Sequence, residues 1–307
     1  MSSSQKAVLT EAIRGKIQWD APLSTWTTYR IGGPADALVT LLDVRDLQQL
    51  LDFCRREKIA WKLLGRGSNV LALDEGFRGI VMVLGDHFKQ IVMERRHDID
   101  VVKVRVGAAA GMTNLANWCA AHGLAGCEFA VGIPGSVGGA VVMNAGAWER
   151  SMADVIDAIE ITDEAKSEIV RAKNLVFSYR TCECPEIGKN KSVITEVVLN
   201  LIPGNREAIS ANMRELQALR KERQPYGMPN AGSVFKNPPG ASAGKLIDDA
   251  GLKGLRVGDA EVSEKHANFI INRGNASSRD VQSLMAEIQR RVREQSGIEL
   301  EPEIEIL

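Results

Sequence analysis

The chain of 307 residues lacks the features that mark a protein for export, for a membrane or for a nucleic acid. Its 38 basic and 39 acidic side chains nearly cancel, whereas proteins that bind a phosphate backbone usually carry a strong basic excess. No apolar run approaches the length of about 18 residues that a membrane helix needs. The N-terminus also lacks the apolar stretch of a secretion signal. We therefore expect a cytoplasmic protein that binds neither nucleic acid nor a membrane.

Cysteine and histidine are scarce, with five and four residues. An odd number of scattered cysteines is typical of reduced thiols in a cytosolic protein and not of a disulfide framework. Cys182 and Cys184 are close enough in sequence to hold a metal, but no histidine stands at the matching ligand spacing. We therefore predict no metal site.

Glycine is nearly absent from residues 147–203, which contain only Gly188, whereas 16 of the 28 glycines lie between Gly32 and Gly146. Glycine is favoured where the backbone takes a positive φ or closely approaches a ligand. The dense half could therefore form ligand-binding loops, or it could be a turn-rich scaffold, and density alone does not separate these two interpretations.

The periodicity of apolar residues predicts a mixed α/β chain with roughly two domains. We predict strands at 37–42, 61–64, 80–84, 101–106, 155–162 and 193–201. We predict helices after Asp43, with a capping box closed by Asp46, at 113–122, with Thr113 as the N-cap, at 206–223, and from Ser277 to Gly297. Pro203-Gly204 is the preferred domain boundary.

The last residues, 298–306, alternate between apolar and acidic side chains. Alternation of this kind predicts a strand with one buried face. Because Pro302 cannot donate a ladder hydrogen bond, we expect an edge strand or a bulged one.

Two glycine-rich loops stand out, and the first directly follows a predicted strand. Loop one, residues 64–69, reads LGRGSN and could form an anion-binding nest of N–H groups or a plain turn. It is neither a Walker A motif nor a Rossmann fingerprint. Loop two, residues 132–146, has four glycines in its first eight residues, held by Pro134. Two such loops favour a dinucleotide cofactor without identifying it.

Three further residues have ordinary interpretations when each is taken alone. Ser233 stands in loop three, residues 224–239, where a turn serine is the simplest interpretation. Arg180 could be a surface charge or a bidentate clamp for a carboxylate. The glutamates near the C-terminus, among them Glu303, could be a solvated face.

Eight segments, in order along the chain, together resemble the UDP-N-acetylenolpyruvoylglucosamine reductases of peptidoglycan synthesis, the MurB family. The segments are TYRIGGPA at 28–35, LGRGSNVL at 64–71, GIPGSVGGAVVMNAGA at 132–147, SYR at 178–180, NAGSVFKNP at 230–238, AGKLID at 243–248, VSEKHANFIIN at 262–272 and LEPEI at 300–304.

The resemblance implies an FAD-binding domain of the vanillyl-alcohol-oxidase (PCMH) type and a C-terminal α+β substrate-binding domain. The boundaries expected are an N-terminal extension at 1–22, the FAD-binding domain at 23–203, with subdomains at about 23–85 and 86–203, and the substrate domain at 204–307. NADPH would reduce a non-covalent FAD, which would pass hydride to UDP-N-acetylglucosamine enolpyruvate and so give UDP-N-acetylmuramate. We expect a monomer.

The resemblance also assigns residue roles. Hydride added at C3 of the enol ether leaves negative charge at C2 and on the adjoining carboxylate, so the site needs electrophilic groups and a proton donor. Arg180 and Glu303 would stabilise this charge, and Ser233 would deliver the proton. Because a glutamate beside a carboxylate is repulsive when both are ionised, Glu303 should be protonated or neutralised by Arg180.

The expected substrate contacts are Tyr179, Arg223 (where some relatives have lysine), Lys236 and Asn237. The expected cofactor contacts are Tyr29, Arg30 and Ile31, then Gly65, Arg66, Gly67, Ser68 and Asn69, then Gly132, Ile133, Pro134, Gly135, Ser136, Gly138, Gly139, Ala140, Asn144 and Gly146.

Two departures from the family pattern stand out. Arg66 occupies the middle of loop one in place of a glycine, and the segment between Arg180 and Val193 is too short for the tyrosine-bearing substrate loop of the longer subclass. The chain therefore resembles the shorter type.

Two other functions stay open from the residues. One is another FAD-dependent oxidase or dehydrogenase of the same fold, acting on an alcohol or a hydroxy acid. Such enzymes often tether flavin through histidine or cysteine, and neither occurs at 64–69 or 132–139. The other is a catalytically inactive nucleotide-binding or interaction module, against which the joint presence of Arg180, Ser233 and Glu303 argues.

Overall fold

The structure is a computed structural model that describes residues 1–94, 100–184 and 192–307. The chain divides into two compact units. The first unit comprises residues 1–19, 37–65 and 79–218, and the second comprises 20–36, 66–78 and 219–307. Within the described ranges, no helix is both long and apolar enough to cross a membrane. The predicted short connection after Arg180 falls largely on residues 185–191, which lie outside the described residues.

The helices of the described chain are α1 (Ser3–Ala12), α2 (Val44–Glu57), α3 (Met112–Ala121), α4 (Val137–Val142), α5 (Arg206–Arg223), α6 (Ala243–Asp249) and α7 (Ser278–Ser296). The bounds of α5 are those predicted. Helix α7 begins with the predicted capping box of Ser277 and Asp280 and ends at Gly297, which has a φ of 72°. Capping residues therefore located this helix correctly at both ends.

Two predicted helix starts were wrong in detail. Asp43 caps α2 by accepting from the Asp46 N–H, but the Asp46 carboxylate accepts from the N–H groups of Leu42 and Arg14 and completes no capping box. The N-cap of α3 is Gly111. Thr113 lies inside that helix, where its hydroxyl accepts from the N–H of Gly132. In both cases the side chain hydrogen-bonds to residues outside the first turn of its helix, whereas local sequence rules expect its partner within that turn.

The strands are β1 (Lys16–Pro22), β2 (Pro34–Leu41), β3 (Trp61–Leu63), β4 (Val70–Leu71), β5 (Phe77–Leu84), β6 (Ile91–Met93), β7 (Val102–Gly107), β8 (Leu124–Ala125), β9 (Gly146–Ala147), β10 (Arg150–Ser151), β11 (Ile156–Thr162), β12 (Ser167–Arg171), β13 (Val176–Ser178), β14 (Thr181–Glu183), β15 (Val193–Pro203), β16 (Arg256–Val257), β17 (Ala260–Val262), β18 (Ile270–Asn272) and β19 (Glu305–Ile306). All six strands predicted up to residue 201 are present, with ends shifted by a few residues.

The first unit contains two hydrophobic cores. The sheet β1–β2–β5–β3 and helix α2 enclose one core, and the predicted apolar stripe of α2 is buried there. A sheet of order β12–β11–β15–β7–β6, with β8 paired to β15, packs with α3 and α4 around the other. Alternating valines of β7 point into this second core, as period-two alternation predicts.

The second unit is assembled from three separate chain segments. Its core combines Tyr29 and Ile31, Leu71, and buried residues of 231–304 from α6, α7 and the antiparallel sheet β16–β17–β18. The units separate between residues 218 and 219, inside α5. The predicted boundary at Pro203-Gly204 stays a prediction.

The predicted strand at 298–306 was wrong over most of its length. Pro302 forms an isolated antiparallel bridge with Phe235, whereas Glu305–Ile306 forms β19, which pairs in parallel with β4. Leu300 and Ile304 are buried as predicted, but Ile306 is exposed. Backbone hydrogen bonds on both sides of Pro302, from Lys236 to Glu301 and from Glu303 to Val234, join the segment to loop three, and residues 305–306 then pair with β4.

Candidate functional site

Loop one, residues 64–69, follows β3 and requires glycine at its centre. Gly67 has a φ of 61°, and a Cβ there would lie 2.2 Å from the carbonyl oxygen of Trp26. Its own carbonyl accepts from the N–H of Thr28 at 3.0 Å. Within the described residues, the N–H groups of Gly65, Arg66 and Gly67 donate to no protein acceptor. Consecutive N–H groups of this kind suit an anionic ligand.

Loop two, residues 132–146, leads into the short helix α4. The Ser136 hydroxyl caps that helix by accepting from the Gly139 N–H at 3.3 Å. The Gly135 carbonyl accepts from Met112, which fixes the loop against the start of α3. A Cβ on Gly65 would lie 2.5 Å from the Ser136 hydroxyl oxygen. The first unit therefore brings Gly65 of loop one against Ser136 of loop two.

Arg180 lies in a tight turn. Ser178 and Thr181 pair as the ends of the β13–β14 hairpin, so Tyr179 and Arg180 form a two-residue connection. Arg180 has a φ of 59°, which is unusual for a residue other than glycine. Its guanidinium carbon lies 5.1 Å from the centre of the Tyr179 ring, within cation–π range.

Asn144, at the end of loop two, contacts this turn. Its Nδ2 donates to the Ser178 carbonyl at 3.0 Å, and its Oδ1 accepts from the Ala153 N–H at 3.0 Å. The structure thus places a predicted cofactor residue against the backbone that carries Arg180.

In the second unit, the structure brings together the backbone segments of Ser233 and Glu303. The Glu303 N–H donates to the carbonyl of Val234 at 2.8 Å, and the Lys236 N–H donates to the carbonyl of Glu301 at 2.9 Å. The Lys236 ammonium also pairs with the Glu301 carboxylate at 2.5 Å. Loop three therefore runs antiparallel to the segment that carries Glu303. The residue of loop three that bonds to Glu303 is the one that follows Ser233.

Loop one contacts the segment that carries Glu303, and Thr28 contacts loop three. Asn69 donates through Nδ2 to the Glu303 carbonyl at 3.1 Å, and its own carbonyl accepts from the Glu305 N–H at 2.9 Å. Thr28, which holds Gly67, also donates to the carbonyl of Asn230 in loop three at 2.7 Å. The second unit therefore gathers the 28–31 segment, the end of loop one, loop three and the C-terminal segment at one place.

Tyr29 is fully buried, and its hydroxyl has no hydrogen-bond partner among the described residues. Burial raises the pKa of this phenol far above its ordinary value, so the group is a neutral donor. A buried, unsatisfied hydroxyl costs about 1–3 kcal/mol. This orphaned hydroxyl, together with the N–H groups of loop one, fits a ligand rich in acceptor oxygens such as the diphosphate of FAD.

The remaining predicted site residues have diverse surroundings. Arg30 is exposed with a φ of 57°, Tyr179 is 51% exposed, and Arg223 is exposed at the end of α5. The Asn237 side chain accepts from the Ala243 N–H at the start of α6. Arg180 belongs to the first unit, and Ser233, Lys236, Asn237 and Glu303 to the second.

Sequence reasoning missed the polar residues that hold the site together. Asn272 donates to the Tyr29 carbonyl at 3.0 Å, and Asn268 exchanges hydrogen bonds with both backbone groups of Phe235. Both are buried. Their position in the apolar run 267–272 could have indicated this role, because a polar side chain that is buried with such a run needs a hydrogen-bond partner.

Comparisons with known proteins cover nearly the whole chain. A family model for the C-terminal domain of UDP-N-acetylenolpyruvoylglucosamine reductase matches residues 224–307, and a model for an FAD binding domain matches 35–173. The UDP-N-acetylenolpyruvoylglucosamine reductase of Desulfosudis oleivorans is 45% identical over 97% of this chain and 97% of that protein. The reductase of Caldanaerobacter subterraneus subsp. tengcongensis is 42% identical over 98% of this chain and 96% of that protein.

Solved structures agree with these relatives. The reductase from Thermus caldophilus superposes with a TM-score of 0.79 at 38% identity, over 96% of this chain and 99% of that one. p-Cresol methylhydroxylase superposes with a TM-score of 0.54 at 10% identity, over 96% and 88%, which is a likeness of fold alone. The fold class predicted from the sequence is confirmed.

Proposed function

This chain belongs to the UDP-N-acetylenolpyruvoylglucosamine reductase family, and from that premise we propose how its residues divide the work of the reaction. The protein is an FAD-dependent oxidoreductase that uses NADPH to reduce UDP-N-acetylglucosamine enolpyruvate to UDP-N-acetylmuramate, in peptidoglycan precursor synthesis. The family, cofactor and reaction predicted from the sequence are confirmed. The predictions of a monomer and of a cytoplasmic location stay predictions.

The two glycine loops and the 28–31 segment hold the cofactor. The chemistry that FAD would supply when bound is the transfer of a hydride from NADPH to the enolpyruvyl carbon C3. The N–H groups of Gly65, Arg66 and Gly67 are available to the diphosphate, and the Tyr29 hydroxyl would supply a further donor, which no described protein group accepts. Residue 67 must be glycine for the loop to keep this shape, since a Cβ there would lie 2.2 Å from the Trp26 carbonyl oxygen.

Arg180, Glu303 and Ser233 act on the substrate. Negative charge develops at C2 and on its carboxylate, and a planar guanidinium can meet both carboxylate oxygens. Glu303 adds a hydrogen bond in its protonated form, because an ionised carboxylate would repel the substrate. The Ser233 hydroxyl delivers a proton to C2. The observation that supports this assignment is the hydrogen bond from the Glu303 N–H to the Val234 carbonyl, which brings the backbone of Glu303 next to the residue that follows Ser233.

Tyr179, Arg223, Lys236 and Asn237 complete the proposed substrate contacts. Tyr179 neighbours Arg180 in the same turn, and Lys236 follows Ser233 by three residues with its ammonium held by Glu301. A diphosphate and a carboxylate on the substrate give these cations and donors their ligands.

Turnover with defined substrates tests the function. Purified protein should be yellow, release FAD on acid treatment and oxidise NADPH catalytically only when UDP-N-acetylglucosamine enolpyruvate is present. A flavoprotein that ignores the enolpyruvyl compound and instead oxidises an alcohol or a hydroxy acid would favour the alternative oxidase or dehydrogenase.

Ser233→Ala tests the proton donor. We expect reduction by NADPH to stay within about 3-fold of wild type, whereas reoxidation by substrate slows by about 100-fold or more, the usual contribution of general acid catalysis. Stopped-flow absorbance separates the two half-reactions. Ser283→Ala, an exposed serine of α7, is the control and should change neither. Equal slowing of both half-reactions in Ser233→Ala would remove Ser233 from this role.

A further inference from the structure

The side chain of Asn144 joins three parts of the first unit. Its residue follows α4, its Oδ1 holds the Ala153 N–H, and its Nδ2 holds the Ser178 carbonyl, one residue before the Tyr179–Arg180 turn. Its own N–H donates to Val141 in α4. The side-chain donor and acceptor therefore both contact protein backbone and connect loop two to the turn that carries Arg180.

The backbone around these contacts is strained. Among the non-glycine residues of the described chain with a positive φ, four fall here: Asn144 (38°), Trp148 (57°), Glu149 (61°) and Arg180 (59°). Such conformations cost of order 1–2 kcal/mol each for most residues and persist only where surrounding contacts impose them. Trp148 and Glu149 form the turn of the β9–β10 hairpin, which begins two residues after Asn144.

Asparagine suits this position for two physical reasons. It tolerates a positive φ better than most residues, and its amide offers one acceptor and one donor to two backbone groups at once. Aspartate would keep the backbone conformation and the acceptor but would lose the donor. Glycine would keep the conformation and lose both.

We propose that Asn144 is a positioning residue that sets Arg180 for the substrate carboxylate by holding the Ser178 carbonyl. This inference rests on the role proposed above for Arg180. It differs from the cofactor contact predicted from the sequence, because it locates the effect of Asn144 in the reaction with substrate. A displacement of about 1 Å in a catalytic group can cost on the order of 100-fold in rate.

Two variants test the proposal. Asn144→Asp places a carboxylate oxygen against the Ser178 carbonyl, and Asn144→Gly removes both hydrogen bonds without adding charge. In both variants we expect FAD content and reduction by NADPH to stay within about 3-fold of wild type, while reoxidation by substrate slows by about 10- to 100-fold. Asn212→Asp, on the exposed surface of α5, adds the same charge and should change neither half-reaction.

A double-mutant cycle shows whether Asn144 acts through Arg180. Arg180→Lys loses the planar fork, so a misplaced turn should matter little in that background. We expect Asn144→Gly to slow substrate reoxidation by less than about 3-fold when combined with Arg180→Lys. Calorimetry on the oxidised protein measures the affinity for UDP-N-acetylmuramate. We expect Asn144→Gly to lower this affinity in the wild-type background and to cause no further loss when it is added to Arg180→Lys.

The outcomes separate the inference from the function on which it rests. Loss of FAD binding in both Asn144 variants, or a multiplicative effect of Asn144→Gly and Arg180→Lys, would overturn the positioning role. A wild-type protein that fails to reduce the enolpyruvyl compound would refute the proposed function instead.

Discussion

At the scale of single residues, the proposed role of the Tyr29 hydroxyl as a donor to FAD predicts opposite effects on the protein with its cofactor and without it. The group is buried and has no partner among the described residues. Tyr29→Phe should therefore raise the stability of the flavin-free protein to urea by about 1 kcal/mol, because an unsatisfied donor is removed. The same change should weaken FAD binding about 3- to 10-fold, because one hydrogen bond is lost. Denaturant midpoints and fluorescence titration measure the two effects.

Tyr226→Phe is the matched control for this prediction. Tyr226 is 72% exposed and lies under the Lys221 ammonium, so its hydroxyl can hydrogen-bond to water. We expect neither stability nor FAD affinity to change. If Tyr29→Phe lowered the stability of the flavin-free protein, its hydroxyl would have a protein partner in solution.

His266 should make the protein sensitive to acid. Burial, with the nearby Lys253 charge, lowers the pKa of this imidazole below its ordinary value of about 6.5. Its Nδ1 accepts from the Asn268 N–H, which requires the neutral ring. The unfolded chain therefore takes up the proton first, so stability is complete above about pH 6.5 and falls as the pH drops toward the lower, folded pKa.

The measurement for His266 is the midpoint of urea unfolding between pH 7.5 and 5. We expect His266→Gln, which cannot titrate, to show a smaller loss of stability on acidification than wild type. His122→Gln, at an exposed histidine of the α3 end, should follow the wild-type profile. An unchanged acid limb in His266→Gln would mean that other groups set it.

Single residues also show how much of the site the sequence could reveal. The roles predicted for Ser233, Arg180 and Glu303 come from their chemistry and their order along the chain, which resemble a family, and they stay predictions. The contacts of Asn69 with Glu303 and of Asn144 with Ser178 could not be predicted. The first joins residues that are 234 positions apart in sequence, and the second joins residues that are 34 positions apart. Hydrogen bonds of this kind depend on tertiary geometry, for which local sequence carries no signal.

At the scale of structural elements, loop one and loop two are coupled through Gly65 and Ser136. A Cβ at residue 65 would lie 2.5 Å from the Ser136 hydroxyl oxygen, which caps α4. Gly65→Ala should displace that hydroxyl and remove the cap at a cost of about 1 kcal/mol. Ser136→Ala loses the same cap, so the double variant should lose about as much as either single variant.

Urea unfolding of the four proteins in this cycle provides the measurement. In the double variant the nearest Ser136 atom to the new methyl group is Cβ, at an ordinary 3.6 Å, so the clash is relieved. Additive losses would show that Gly65→Ala acts elsewhere in loop one.

Elements differ in how well the sequence predicted them. Helix α7 was located at both ends because Ser277, Asp280 and Gly297 satisfy its terminal groups locally. The C-terminal segment was not, because alternation reports which side chains are buried but not which strand pairs with them. Its partners are loop three around Pro302 and β4 at residues 305–306, both remote in sequence.

At the scale of the whole molecule, the sequence-based boundary and the compact units make opposite predictions for residues 204–307. The boundary at Pro203-Gly204 predicts a domain that folds alone. The second unit, however, buries Tyr29, Ile31 and Leu71 in its core and pairs β19 with β4. All of these partners are missing from such a fragment, because they come from 20–36 and 66–78.

We expect the fragment 204–307 to lack a cooperative unfolding transition. Each lost core side chain contributes about 2 kcal/mol, and three of them approach the total stability of about 5–15 kcal/mol that is typical of a domain. Loss of the β4 pairing and of the Thr28–Asn230 hydrogen bond adds to this deficit. Far-UV circular dichroism during thermal unfolding should show a gradual change in the fragment and a sharp one in the full chain.

The matched control restores the missing segments. A single chain in which flexible Gly-Ser linkers join residues 20–36, 66–78 and 219–307 contains every member of the second core, and it should regain a cooperative transition. If the fragment 204–307 unfolded as sharply as this linked chain, the N-terminal segments would contribute little to its core. The C-terminal segment would then be an independent folding domain, as the boundary at Pro203-Gly204 predicts.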